Sequence, residues 1–233
     1  PRMERCARFL IQTPEEQRGR WRELKPDAEQ VWLELGCGKG RFTAETAAQN
    51  PNVLYLAVER VPDAMIVAME RCAQRGLTNV FFVDGDAAKL REYFAPDEID
   101  RLFINFCDPW PSNRHARRRL THQNFLVLYR GVLRTGGQIH FKTDNADLYL
   151  ATQRYLRESG FEILWQTKDL KAEPDAIDIP TEHELMFAAQ GIPIKAITAR
   201  LRDPVPAPAK DSGRKDVQAI REELEKLGYP NTL

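Results

Sequence analysis

The sequence predicts an α/β fold in which a parallel sheet carries helices on both faces. Short runs of β-branched and aromatic residues alternate with longer runs of helical spacing, a pattern typical of βαβ units. The 233 residues are enough for one α/β domain with a buried sheet, and the apolar content of 42% is ordinary for a globular protein.

The predicted strands and helices alternate through the middle of the chain. Strands are predicted over residues 31–35, 53–58, 79–83, 101–106, 138–142, 161–166 and 192–201. Helices are predicted over residues 41–49, 62–75, 121–133 and 146–159. Pro62 suits a first helical turn, where its missing N–H has no intrahelical partner, and Gly76 and Gly160 suit helix ends.

Two segments lie outside this pattern and divide the chain into 1–30, 31–202 and 203–233. Residues 1–30 are predicted to be a polar helical lead-in, anchored by Phe9 and Trp21. Repeated prolines predict a linker over 203–210, because proline denies the backbone its hydrogen bonds. Beyond it, one apolar stripe predicts an amphipathic helix that docks on its own domain or on a second copy; its members are Val217, Ile220, Leu224 and Leu227.

Composition restricts the possible partners and the compartment. Lys plus Arg equals Asp plus Glu at 34 each, so nucleic-acid binding requires a local basic patch. The four cysteines form no Cys-x-x-Cys pair and match no zinc spacing, which favours a reduced, cytoplasmic chain without a metal. No stretch of the sequence is apolar enough to cross a membrane. Monomer and homodimer both stay open.

A glycine-rich turn follows the first predicted strand. Gly36, Gly38 and Gly40 come directly after Glu34 and Leu35, and a helix follows them. Glycines let the backbone turn sharply and approach a ligand at the carboxyl ends of strands, where open α/β sheets bind ligands. The motif alone fits a nucleotide-like cofactor and a merely tight turn equally well.

Two acidic residues at later strand ends strengthen the cofactor interpretation. Glu59 ends the second strand, where a carboxylate can accept both ribose hydroxyls, and Asp86 follows the third, where it can accept from an adenine amine. Each alone is more often a turn residue or a helix cap. A dinucleotide pattern requires a further glycine where this chain has Arg41 or Thr43, so S-adenosylmethionine is favoured over a nicotinamide cofactor.

Residues 105–119 join a carboxylate at a strand end to a run of cations. Asp108 precedes Trp110, which stands between two prolines, and a basic run follows: Arg114, His115, Arg117, Arg118 and Arg119. A strand-terminating turn and a solvated helix start are the plain alternatives. The position of the arginines directly after the turn favours phosphate contacts, which set register without reading sequence.

Three later polar residues have both a plain and a functional interpretation. Asp144 stands at another strand end, where it either caps the next helix or faces a ligand. Thr181 and Glu184 have capping-box spacing in a predicted late loop.

These motifs together resemble the bacterial tRNA (guanine-N7)-methyltransferase family over roughly residues 30–201. The matching positions are 34–40, Glu59, Asp86, 105–111, 114–115, 117–119, 142–144, Thr181 and Glu184. The resemblance implies a Rossmann-like methyltransferase fold with seven strands, the last antiparallel. It implies that Glu34, Glu59, Asp86 and Asp108 hold the cofactor. It also implies that Asp144, Thr181 and Glu184 contact the tRNA, whose variable-loop guanine 46 is methylated.

One departure from the family pattern affects the RNA side. Ser112 stands where the family usually has lysine, so a cationic contact is lost unless Arg114 replaces it.

The reactivity of guanine N7 agrees with the methyl transfer that the resemblance implies. Guanine N7 carries a lone pair and no proton, so attack on a sulfonium methyl needs alignment rather than a general base. Asp108 then either stabilises the charge that reaches the purine or accepts from guanine N1 and N2. Cys107 is expected to be a structural thiol. An exocyclic amino methyltransferase and a tRNA-binding module without catalysis are the alternatives.

Overall fold

The predicted fold class is confirmed. A computed structural model describes residues 6–174, 176 and 178–202, which form an eight-stranded sheet with helices on both faces. The strands are β1 (Leu10–Ile11), β2 (Gln30–Leu35), β3 (Val53–Glu59), β4 (Val80–Asp84), β5 (Ile99–Asn105), β6 (Leu133–Thr143), β7 (Phe161–Thr167) and β8 (Lys195–Leu201). The α-helices are α1 (Arg41–Gln49), α2 (Pro62–Gln74), α3 (Leu90–Tyr93), α4 (Gln123–Arg130), α5 (Ala146–Glu158) and α6 (Glu182–Ala189).

The strand order is β1-β4-β3-β2-β5-β6-β8-β7. Every neighbouring pair is parallel except those of β8, which runs antiparallel to both β6 and β7. The antiparallel last strand is therefore confirmed, whereas the count of seven strands is wrong. The additional strand is β1, where Leu10 is in register with Phe82 and Ile11 with Val83. Two residues are too few for an alternating pattern to be recognised in the sequence.

The alternation of side chains along each strand separates two apolar cores. Trp32 of β2 packs on the face covered by α1 and α2, where its ring centroid lies 5.6 Å from that of Phe103. Leu33, one residue further along, packs on the opposite face, which α4 and α5 cover. Strands that are buried on both sides place their functional residues at their ends.

The N-terminal segment has the predicted anchors. Over residues 7–29 its regular structure consists of short 3₁₀ helices and β1, in place of one continuous helix. Phe9 and Trp21 are both buried, and the indole Nε1 of Trp21 donates to the carbonyl oxygen of Tyr93 at 2.8 Å. The segment therefore packs into both apolar cores, with Trp21 in one and Phe9 in the other.

Two further predictions need correction. The helix expected over 121–133 ends at Arg130, and Leu133 already belongs to β6. The late loop that carries Thr181 contains a helix, α6. The predicted linker and amphipathic helix of 203–233 lie outside the described residues, and the division into three segments stays a prediction. In the described part of the chain, no helix is long and apolar enough to cross a membrane.

Candidate active site

A pocket lies where the carboxyl ends of β2, β3, β4 and β5 meet. Its volume is about 230 Å³. Gly36 and Glu59 line it from the first two strands, Asp86 from the third, and Asp108 and Trp110 from the turn after β5. The glycine turn and the tryptophan-proline turn therefore open into the same pocket, as adjacent parallel strands require.

The glycine turn after β2 contains three glycines, and Gly36 and Gly40 are needed for different reasons. All three have positive φ values, of 77°, 54° and 73° for Gly36, Gly38 and Gly40. Gly36 lines the pocket, and a side chain there would meet open space. A Cβ at Gly40 would instead collide with Ala68 of α2. Gly36 is thus the glycine at the pocket wall, whereas Gly40 permits close packing of two helices.

Glu59 ties the glycine turn to the end of β3. Its Oε2 accepts a hydrogen bond from the N–H of Gly38 at 2.8 Å. Its Oε1 accepts from the N–H groups of Arg60 and Val61 at 2.8 and 3.0 Å. A carboxylate has about four lone-pair sites, and three are engaged here, so Glu59 shapes the pocket wall and its Oε2 can still accept from one hydroxyl donor.

Asp86 is only 3% exposed, and one of its two carboxylate oxygens accepts a hydrogen bond whereas the other does not. Its Oδ1 accepts from the N–H of Ala88 at 2.8 Å, which caps the following 3₁₀ turn. Its Oδ2 accepts no hydrogen bond, and Arg60 Nε lies 3.5 Å away. A buried carboxylate oxygen without a donor is costly, so this atom fits a ligand that brings its own N–H or O–H.

The resemblance implies that Glu34 holds the cofactor, but the Glu34 side chain is buried outside this pocket. Its side chain is 2% exposed and accepts from Thr43 Oγ1 at 2.6 Å and from Tyr55 O–H at 3.1 Å. Burial raises the pKa of Glu34 to about 7, although the hydrogen bonds from Thr43 and Tyr55 oppose that shift. Glu34 therefore lies beneath the glycine turn and is not among the residues that line the pocket.

The turn after β5 has an unusual backbone. Phe106 and Trp110 have φ values of 54° and 41°, a region that bulky residues rarely adopt. Such conformations persist where the surroundings impose them and are concentrated at functional sites. Asp108 lies between these two residues, is exposed and lines the pocket.

Cys107 beside it is a poor nucleophile. Burial, with the negative charge of Asp108 as the second cause, raises the pKa of the Cys107 thiol to about 12. The thiolate, which is the reactive form, is therefore scarce at neutral pH. This agrees with the expected structural role.

The basic run divides into exposed and buried members. Arg114 and Arg117 are exposed, as phosphate contacts require. Arg118 lines the pocket with its guanidinium 4.8 Å from the centroid of the Trp110 ring, and His115 meets the same ring edge-on at 6.0 Å. Arg119 is only 5% exposed. Its guanidinium is turned into the protein, so the structure gives no support for the predicted phosphate contact of Arg119.

The remaining predicted residues surround the start of α6. Thr181 Oγ1 accepts from Glu184 N–H at 3.0 Å, and Glu184 Oε2 accepts from Thr181 N–H at 3.2 Å, which completes a capping box. Both residues are buried, and burial raises the pKa of Glu184 to about 7. Asp144 lies at the end of β6 and is partly exposed. None of the three lines the pocket described above.

Lys142 connects this region to the sheet, although it was not predicted as a site residue. Its Nζ pairs with Glu184 Oε2 at 3.1 Å and also with Asp178. On the same side, Phe106 stacks on His183 of α6 with ring centroids 5.7 Å apart. These contacts hold α6 against the ends of β5 and β6, beside the pocket.

Comparison with known proteins identifies the family. A family model described as "Putative methyltransferase" matches residues 28–197. A tRNA (guanine-N(7)-)-methyltransferase of Clostridium tetani is 39% identical over 202 residues, which cover 87% of this chain and 95% of the relative. Its namesake in Bacillus cytotoxicus is 37% identical over 201 residues, covering 86% and 93%.

The chain belongs to the tRNA (guanine-N7)-methyltransferase family.

Solved structures agree on the fold. The 16S rRNA methyltransferase KamB superposes with a TM-score of 0.59 at 19% identity, covering 79% of this chain and 93% of KamB. A 16S rRNA (adenine(1408)-N(1))-methyltransferase from Catenulisporales acidiphilia, solved with cosubstrate SAM, gives a TM-score of 0.53 at 15% identity, covering 83% and 93%. At such identities the likeness concerns the fold alone.

Two residues of the site were not predicted from the sequence. Arg60 lines the pocket next to Asp86, and Lys142 holds α6. Arg60 directly follows Glu59 at a strand end, so the same positional argument that selected Glu59 could have selected it. Lys142 precedes Thr143 and Asp144 at the end of β6 and carried a comparable signal.

Proposed function

We propose that this protein transfers the methyl group of S-adenosylmethionine to N7 of a guanine in tRNA, forming 7-methylguanosine. The observation that carries the proposal is the shared pocket, where the glycine turn at Gly36 meets the turn of Asp108 and Trp110. The names of the relatives, which cover most of the chain, support the same reaction.

The pocket residues fit an adenosyl cofactor. We assign a ribose hydroxyl to Glu59, whose Oε2 retains acceptor capacity, and the adenine amine to Asp86 Oδ2, which is buried and accepts no hydrogen bond. The backbone at Gly36 allows a ligand to approach closely. Glu34 lies outside this pocket, where its hydrogen bonds with Thr43 and Tyr55 connect β2 to α1 and β3. When bound, S-adenosylmethionine supplies an electrophilic methyl group on a positively charged sulfur.

The protein's own task is alignment and charge stabilisation. Guanine N7 has a lone pair and no proton to lose, so no side chain needs to act as a general base. Holding the reacting atoms in line and excluding water can account for much of the acceleration. Positive charge passes to the purine, and the carboxylate of Asp108 would stabilise it or would orient the base through N1 and N2.

The tRNA contacts follow from the surface beside the pocket. We assign phosphate contacts to Arg114 and Arg117, which are exposed, and a stacking or phosphate contact to His115. We assign Asp144, Thr181 and Glu184 to the substrate side, with the last two acting by fixing the start of α6. The proposed target is guanine 46 in the variable loop.

One experiment tests the reaction and its position together. Unmodified tRNA is incubated with the protein and labelled S-adenosylmethionine, and the RNA strand is then cleaved chemically at 7-methylguanosine. We expect label in the tRNA and strand scission at guanine 46, and neither in a tRNA whose position 46 is adenine. Label without scission would support exocyclic amino methylation instead. Binding of tRNA without label, together with no cofactor binding in a titration, would support a module without catalysis.

A further inference from the structure

Arg119 lies beneath the turn that carries Asp108. Its Nε donates to the carbonyl oxygen of Pro109 at 2.8 Å, and its Nη2 donates to the carbonyl oxygen of Trp110 at 3.0 Å. Its Nη1 lies 3.4 Å from the hydroxyl oxygen of Tyr155, a buried residue of α5. One guanidinium therefore connects two successive carbonyl groups of the turn to a helix of the core.

The turn needs a donor from elsewhere because of its own sequence. Pro109 and Pro111 have no backbone N–H, so two of the groups that normally close a tight turn are missing. The turn also holds Trp110 at a φ of 41°, which is unfavourable for a bulky side chain. A planar guanidinium with donors in a fixed fork can hold two neighbouring carbonyls at once.

Arg119 is itself held firmly in place. It follows the 3₁₀ segment Asn113–Arg118, and its N–H donates to the carbonyl oxygen of Ala116 at 3.1 Å. Its own carbonyl accepts from the N–H of His122, just before α4, at 2.9 Å. The side chain thus fixes the turn relative to the core and does not point into solvent.

We propose that Arg119 is a positioning residue for methyl transfer. By holding the carbonyls of Pro109 and Trp110, it sets the direction of the Asp108 carboxylate and of the indole that lines the pocket. This distinguishes Arg119 from its neighbour Arg117, which is exposed and suited to a phosphate. The inference rests on the proposed methyl transfer, since the turn matters only if the reaction takes place beside it.

The test compares Arg119→Lys and Arg119→Gln with two reference variants. Lysine keeps the charge and glutamine keeps one NH₂ group, but neither can reproduce the guanidinium fork that binds two carbonyls. Arg157→Lys, an exposed position of α5 outside the pocket, is the matched control for an arginine change. Arg117→Gln is the reference for a lost phosphate contact. The measurements are kcat, KM for tRNA, cofactor Kd, thermal unfolding, and the slope of log Kd for tRNA against log salt.

We expect the Arg119 variants to lose kcat by roughly 10- to 100-fold, because small displacements of reacting groups are costly. Their tRNA salt slope should stay that of the wild type. Arg117→Gln should reduce this slope by about 0.7–0.9, as one lost phosphate contact does, and Arg157→Lys should match the wild type throughout.

Three results would overturn the proposal. The first is a kcat within twofold of the wild type in a folded Arg119 variant. The second is a tRNA salt slope of the Arg119 variants that falls as in Arg117→Gln. The third is unfolding of both Arg119 variants, which would make Arg119 a residue of general stability. If the wild type forms no 7-methylguanosine, the proposed function fails instead. A wild type that is active alongside equally active Arg119 variants refutes only the positioning role.

Discussion

Replacing Asp86 with asparagine should weaken cofactor binding without weakening the fold. Asparagine Oδ1 can still accept from Ala88 N–H, so the cap of the 3₁₀ turn is retained, and Asn and Asp are similar at that position. Oδ2, which accepts no hydrogen bond within the described protein, becomes an NH₂ group that would face the adenine amine. An acceptor is thereby exchanged for a donor at one atom.

The size of the effect follows from that single atom. A hydrogen bond to a charged group contributes about 1.5–3 kcal/mol, which corresponds to roughly 10- to 150-fold in Kd. The unfolding temperature without cofactor should change little, because the cap on Ala88 is kept and the ion pair that is lost is long, at 3.5 Å, with a partly exposed Arg60. Binding of S-adenosylhomocysteine is measured by calorimetry, with thermal unfolding as the check on the fold.

The control is Asp84→Asn, a matched change at an exposed residue of the same strand end. It should leave the Kd within about twofold, since Asp84 is not among the residues that line the pocket. S-inosylhomocysteine, which has a carbonyl in place of the amine, should bind the wild type weakly and should bind the Asp86 variant no worse than the natural product. A Kd for Asp86→Asn equal to that of the wild type would refute the assignment.

Three further predictions follow from the site and its surroundings. Asp108→Ala should lower methyl transfer by roughly 10²- to 10³-fold, the usual effect of removing one preorganised electrostatic group, with an unchanged circular dichroism spectrum; turnover near that of the wild type would contradict the role. Arg114→Ala should lower the tRNA salt slope by about 0.7–0.9, measured by filter binding, and a cofactor Kd that changes equally would instead place Arg114 on the cofactor side. Burial lowers the pKa of His140 to about 3, whereas an unfolded histidine titrates near pH 6.5, at about its ordinary pKa. Protons therefore bind His140 in the unfolded chain first as the pH falls, and the contribution of His140 to the free energy of unfolding should decline by about 1.4 kcal/mol per pH unit between about pH 6.5 and 3. In denaturant titrations between pH 6.5 and 4, the free energy of unfolding of His140→Gln should therefore fall less steeply with decreasing pH than that of the wild type.

Strand ends proved the most predictable feature of the site. β2, β3 and β7 start or end within a residue or two of their predicted limits, because apolar runs bounded by turn residues mark them well. The carboxyl ends of β3, β4 and β5 bring Glu59, Asp86 and Asp108 to one pocket. The short β1 and the helix α6 were missed, since the first has two residues and the second begins in a segment that was interpreted as a loop.

Which side chains face the pocket was harder to predict. Glu34 is in register with Ala57, two residues before Glu59 on the neighbouring strand, so it lies deeper in the sheet. A sequence shows that both acids are near strand ends but not how the two strands are aligned. Arg117 and Arg119 pose the same problem, because adjacent charges in a run look alike until the backbone turns one inward.

The short strand β1 has a consequence for the stability of the protein in solution. By pairing with Phe82 and Val83, it occupies the outer hydrogen-bonding groups of β4, just before the loop that contains Asp86. Open edges of this kind recruit other chains and promote aggregation. A shortened chain that lacks Leu10 and Ile11 should therefore be prone to self-association.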